Sequence, residues 1–199
     1  ATVGLASVGC AGAEDRGTAR AAATTTLSAD EAQAILFMRE EEKLARDVYT
    51  ALGAKDPIFA TIVESEERHM AALLRLIERH GLTDPVANLP VGRFATPRFQ
   101  SLHDSLVERG SASTEAALGV GAEIEELDIA DLGEQQTKTA RSDLSWVFGR
   151  LTRGSRNHLR HFDAALSARG LKYTAKHLDP TAYAAIVASP LERGPGRRR

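Results

Sequence analysis

Residues 35–52 read ILFMREEEKLARDVYTAL, and one face of this stretch decides the fold. Steps of three and four residues pick out Ile35, Met38, Glu42, Ala45, Tyr49 and Leu52. That is an apolar stripe at helical spacing with a carboxylate in its middle. A second stripe runs Phe59, Ile62, Glu66, His69, Leu73, Leu76. A third runs Leu118, Ala122, Glu125, Ile129, Leu132, and a fourth Leu144, Phe148, Leu151, Ser155, His158, Phe162, Ala165. A buried carboxylate is costly unless it is paired or bound to a metal. Four helices that place polar groups mid-stripe therefore predict one polar site shared inside an all-α bundle. A metal ion is the strongest candidate to occupy it.

Working outward, Ser28 and Glu31 form a capping box that opens the first long helix, which runs to about Leu52 and stops near Gly53. Asp56-Pro57 opens the second, which ends near His80 and Gly81. The short connection predicts that these two lie antiparallel. Pro85, Pro90 and Pro97 exclude a long helix over residues 82–97, and Thr96-Pro97 opens a short one that ends at Gly110. This region is long enough to cross the bundle from end to end. Ser113 caps the third long helix, which reaches about Gln136, with Gly119, Gly121 and Gly133 as sites of close packing or a bend. The fourth runs from Ser142 or Asp143 to Gly170, and Asp179-Pro180 opens a short terminal helix. The expected organisation is a leader over 1–27, a four-helix bundle over 28–180 with a long crossover between its second and third helices, and a short helix with a loose basic tail over 181–199.

Abundant alanine and few β-branched runs favour helices throughout. A formal net charge of -2 gives no electrostatic reason to expect nucleic acid as a partner. The single cysteine, Cys10, excludes an internal disulfide and any cysteine-based zinc or iron–sulfur site. No run reaches the ~18 apolar residues of a transmembrane segment. Small and apolar residues leading to Gly9-Cys10 resemble the end of a lipoprotein signal. The expectation is either export with lipid anchoring through Cys10, or a disordered leader on a cytoplasmic protein.

The polar groups have metal-ligand spacing. Glu66-x-x-His69 sets a carboxylate and an imidazole on adjacent turns of one face. In di-iron and di-manganese bundles, two helices each give one Glu and two others each give Glu-x-x-His. Here the first helix offers Glu42, the second Glu66 and His69, the third Glu125, and the fourth His158, with Ser155 where its partner Glu would stand. Asp128, one turn beyond Glu125, is the expected replacement. Carboxylates with imidazole suit iron, manganese or zinc better than copper(I). Tyr49 lies along the face from Glu42 and is expected near the site. Glu40 and Glu41 rank below Glu42 because a charge run is usually a solvated face, and Glu123 and Glu126 are expected in solvent. His161 is expected beside the site or at the surface, and His80, His103 and His177 have no partner visible from spacing. The alternative is a non-catalytic binding or envelope protein whose buried acids are neutralised by Arg46, Arg156 or Arg160.

Glu42-x-x-Ala45-Arg46-x-x-Tyr49 resembles the first ligand helix of rubrerythrin-like proteins, and residues 65–70, SEERHM, resemble their second. With EELDIADL at 125–132 and RGSRNHLR at 153–160, the chain resembles a bacterial and archaeal ferritin-like family catalogued as domain of unknown function 2202. The resemblance covers residues 28 to about 180. It implies a ferritin-like four-helix bundle and a carboxylate-bridged metal centre at Glu42, Glu66, His69, Glu125 and His158. The expected cofactor is a di-iron centre, with manganese or zinc as alternatives. The resemblance supplies no reaction; a di-iron centre would support oxidase or peroxidase chemistry on dioxygen or peroxide, and a homodimer is one assembly compatible with this reading.

Overall fold

The protein is described by a computed structural model covering Ala1 and residues 26–194. The leader with Cys10 and the tail from 195 onward lie outside the described residues. Among the described residues there are six helices and no strand: α1 (Ala29–Leu52), α2 (Ile58–Arg79), α3 (Pro97–Gly110), α4 (Thr114–Thr137), α5 (Ser142–Ser167) and α6 (Pro180–Ala188). None is long and apolar enough to cross a membrane.

The ends follow local chemistry. The Ser28 hydroxyl accepts the Glu31 N–H at 3.1 Å and the Glu31 carboxylate accepts the Ser28 N–H at 3.0 Å, satisfying two otherwise unpaired donors. Thr96, Ser113 and Asp179 cap α3, α4 and α6 with their side-chain oxygens. The chain leaves α2 through Gly81 at φ 65° and α5 through Gly170 at φ 73°, in the left-handed region that glycine enters without strain. The fourth long helix thus stops at Ser167, short of the predicted Gly170.

The four long helices lie side by side, each antiparallel to both neighbours. Tyr49 meets Phe59 near the α1–α2 turn, whereas Arg39 reaches the Met70 carbonyl further along. Asp128 pairs with Ser155 and Glu125 with His158 between α4 and α5. Glu66 faces His158 between α2 and α5, and Tyr49 donates to Glu125 between α1 and α4. Helices α2 and α4 are therefore diagonal and parallel, and the connection between them must travel the length of the molecule. Gly121 is one site of close packing, since a Cβ there would come within 2.7 Å of Phe162 Cδ1. Gly119 and Gly133 face open space, so the predicted tight contact holds at Gly121 alone.

The crossover explains a feature that sequence reasoning misread. Residues 39–43, REEEK, are all buried, with Glu40, Glu41 and Glu42 at 3%, 2% and 1% exposure. The run is not a solvated face: the chain from 84 to 96 covers Arg39, Glu40 and Lys43, while Glu41 and Glu42 turn toward acids of α4 and α2. Arg39 pairs with Asp84 at 2.9 Å, Lys43 reaches the Pro90 carbonyl at 2.9 Å, and the Glu40 carboxylate accepts the Thr96 N–H at 2.8 Å. Asp47 accepts from Lys43, Arg46 and the Gly92 N–H. Arg39, Glu40, Lys43 and Asp47 each lose water and gain a specific partner, which is the condition for burying a charge.

The apolar core falls into two clusters. One contains Tyr49, Phe59, Leu118 and Phe162; the other contains Ile35, Leu73, Leu144 and Phe148. Each fully buried side chain of this size contributes about 1.5–3 kcal/mol. The carboxylates and imidazoles at the middle of the four stripes lie between the clusters, so apolar burial on both sides offsets the desolvation of the polar layer.

Candidate metal centre

Glu66, on α2, is the hub. Its two carboxylate oxygens face different histidines: Oε2 lies 2.8 Å from His69 Nδ1, and Oε1 lies 2.8 Å from His158 Nδ1. Glu42 Oε2 is 3.2 Å from His69 Nδ1, and Glu125 Oε1 is 3.4 Å from His158 Nδ1. The result is two three-residue groups that share Glu66. Glu42, Glu66 and His69 form one, and Glu66, Glu125 and His158 the other, with ligand atoms in each within 4.8 Å of one another. The imidazole rings of His69 and His158 are inclined by 30°, with centroids 5.7 Å apart.

Several of these atoms have no hydrogen-bond partner. Glu42 Oε1, Glu66 Oε1, Asp128 Oδ1 and His158 Nδ1 are all buried and unbonded. Glu66 Oε1 and His158 Nδ1 are close but misaligned for a shared proton. Lone pairs that converge without facing one another suit a common third partner. Buried polar atoms left unsatisfied are rare in native proteins, and an ion is one recognised reason for them.

The electrostatics fit the same reading. Burial, then Asp128 and Glu66, push the Glu42 carboxyl well above its usual range. Burial and Glu125 raise Asp128 to about 7, against the opposing hydrogen bond from Ser155. Burial alone would raise Glu66 and lower His158, but their mutual attraction outweighs it. Glu66 is held well below the carboxylate range by His158 and His69, and His158 is raised to about 10 by Glu66 and Glu125. Without a cation, protons carry the positive charge that the cluster requires.

Supporting residues come from all sides. Tyr49 donates its hydroxyl to Glu125 Oε1 at 2.6 Å, which fixes that carboxylate. Asp128 is buried and turned inward, and the Ser155 hydroxyl donates to its Oδ2. It belongs to neither three-residue group. The serine at the missing-carboxylate position therefore holds a carboxylate from α4 in place.

Other expected residues go elsewhere. Glu126 is not solvated; it is 0% exposed and accepts from the Tyr173 hydroxyl at 2.6 Å and the Lys176 N–H at 2.9 Å. Glu123 is partly buried and pairs with Arg109 and Lys176. Arg46 pairs with Asp47, and Arg156 and Arg160 with Glu192, so none of the three serves the cluster acids. His80 has a partner in Asp143 at 2.9 Å and His103 in Asp104 at 2.9 Å, while His161 is exposed. Two residues escaped the sequence reading. Glu41 buries both carboxylate oxygens without a hydrogen bond, and burial, Asp128 and Asp131 raise it strongly. Gly154 lets the His69 ring lie against α5, since a Cβ there would come within 2.5 Å of His69 Cε1. A glycine in the middle of the helix that carries His158 was its visible signal.

An all-helical protein with a buried carboxylate–histidine cluster is the class that fold and site define. A family described as "Uncharacterized protein domain (DUF2202)" matches residues 31–190, and the chain belongs to it. It is similar to "Uncharacterized protein MJ0754" of the archaeon Methanocaldococcus jannaschii, with 44% identity over 173 residues, covering 86% of this chain and 94% of that protein. The crystal structure of hypothetical protein MJ0754 superposes with a TM-score of 0.82, covering 84% of this chain and 97% of the other.

Proposed function

We propose that the chain is a ferritin-like four-helix bundle that holds two divalent transition-metal ions, with iron as the first assignment and manganese or zinc as alternatives. The observation that carries the reading is Glu66, whose two oxygens each lie 2.8 Å from a different histidine. Glu42, Glu66 and His69 would hold one ion, and Glu66, Glu125 and His158 the other. Oxygen and imidazole donors without thiolate are the set that suits these metals.

A bound iron pair supplies one-electron redox chemistry at two adjacent positions, which is the chemistry of oxidases and peroxidases acting on dioxygen or peroxide. The chain's own residues then have defined roles. Tyr49 orients Glu125. Asp128, held by Ser155, supplies the negative charge that the α5 side lacks. The two apolar clusters exclude water from the centre, which strengthens each charge interaction inside it.

Metal analysis of the purified protein and of Glu66→Gln tests the reading. The expected result is roughly two equivalents of iron, manganese or zinc in the native protein and a loss of both in the variant, because ligand binding is linked to the folded site. Absence of metal, with thermal stability unchanged by chelator, overturns it.

A further inference from the structure

A cleft of about 380 Å³ opens between α2 and α5, directly over His69. Arg68 and Arg75 line it from α2, and Arg150 and Arg153 from α5. Its floor is Gly154 and the His69 ring that packs on it. The imidazole has two sides: Nδ1 faces Glu66 and Glu42, and the Nε2–Cε1 edge lies against Gly154 at the floor of the cleft.

Among the described residues, none of these four guanidinium groups has a carboxylate within ion-pair distance. Several arginines elsewhere are matched: Arg39 with Asp84, Arg109 with Glu123, Arg156 and Arg160 with Glu192, and Arg169 with Asp56. Four guanidinium groups without a carboxylate partner are thus gathered at one place on a chain whose formal net charge is -2. Like charges held on facing helices repel, and a counter-ion between them removes the repulsion. Guanidinium forks match the geometry of oxyanions and bind them through paired charge-assisted hydrogen bonds. Four positive charges from two helices call for a ligand with more than one negative charge and oxygens on several sides.

We infer that the α2–α5 cleft binds a small polyvalent oxyanion of the phosphate class, free or as a phosphoryl group, seated between Arg68, Arg75, Arg150 and Arg153 over His69. The inference does not depend on what the carboxylate–histidine cluster holds. The bound anion closes the side of the protein on which His69 is nearest to solvent.

The chain's single tryptophan, Trp146, reports on the cleft. Its ring is 57% exposed and lies 4.7 Å from the Arg150 guanidinium. The native protein is titrated with inorganic phosphate, glycerol 3-phosphate and acetate, following Trp146 fluorescence and calorimetric heat. Saturable binding of one phosphate or phosphate monoester per chain, with a Kd below about 1 mM, is expected. Preference between the two probes tells a free anion from a phosphoryl group on a larger molecule, and either supports the site. Arg68→Ala and Arg153→Ala should each weaken binding by at least ~10-fold, the loss typical of a charge-assisted hydrogen bond, while Arg169→Ala leaves it unchanged. No saturation, equal binding of acetate, or unaltered affinity in the two cleft variants overturns the inference. The last result also covers phosphate that sits on a metal ion rather than in the cleft.

Discussion

Replacing Gly154 with alanine sets two effects of opposite sign against each other. In a helix interior Gly→Ala stabilises by about 1 kcal/mol through backbone entropy alone. At Gly154, however, the new Cβ would lie 2.5 Å from His69 Cε1, where ordinary contact begins near 3.4 Å. The ring must retreat by about 1 Å, and overpacking of this kind costs roughly 1–3 kcal/mol. Retreat also displaces Nδ1 from its present positions 2.8 Å from Glu66 Oε2 and 3.2 Å from Glu42 Oε2. Gly149, on the same helix, is the internal control, because a Cβ there meets nothing within 4 Å. Gly149→Ala should therefore gain the full helix benefit, and Gly154→Ala should fall about 1–3 kcal/mol below it. For a domain of this size each kcal/mol moves Tm by roughly 2–4 °C. Thermal denaturation of both variants, paired with metal titration, measures the contest. Gly154→Ala should also weaken one metal position by ~10–100-fold, the usual cost of displacing a group that orients the site. If Gly154→Ala matches Gly149→Ala in Tm and binds metal as the native protein does, the packing of His69 on α5 and its place in the centre are both refuted.

Three further outcomes follow from the same geometry. Asp128→Ala should weaken metal binding at one of two positions by ~10-fold or more, whereas Glu126→Ala should leave metal binding intact; titration of both variants decides this. Glu126→Ala should instead lower stability by about 1–3 kcal/mol, since Tyr173 and the Lys176 N–H lose their acceptor, and a denaturation midpoint equal to that of the native protein would contradict the assignment. The metal-free protein should lose stability as pH rises from 7 to 10. His158, raised from 6.5 to about 10, contributes stabilisation that is complete below its ordinary value and is lost as pH passes its folded value. Asp128, raised from 3.8 to about 7, loses its contribution earlier in the same direction, while Glu66 acts only in acid, where its lowered value stabilises above 4.5. If metal takes the place of the protons in the folded state, the loaded protein should show a flatter Tm profile over that range, and parallel profiles would contradict this.

Much of the architecture was legible because it rests on local signals. The Ser28 box, Thr96-Pro97, Ser113 and Asp179-Pro180 state where helices begin, and the four stripes state which faces turn inward. The core of the candidate site was legible for the same reason, since Glu42, Glu66, His69, Glu125 and His158 sit at stripe positions. What was not legible depends on segments distant in sequence. Glu40 read as solvated until the crossover bonds it, Glu41 until α4 sets Asp128 and Asp131 beside it, and Glu126 until residues 173–178 return to bond it. The arginines at 46, 156 and 160 could be read as neutralising the cluster because spacing along one helix does not show that Asp47 and Glu192 claim them. Gly154 illustrates the same limit: its exceptional feature is a ring from another helix, which no periodicity encodes.

The central claim is that Glu66 joins two cation positions. Crystals of the iron-loaded protein, measured for anomalous scattering at the iron edge, test it most directly. The account predicts two peaks, one against Glu42, Glu66 and His69 and one against Glu66, Glu125 and His158. Absence of a peak at both places, or iron bound only at sites away from Glu66, would contradict it.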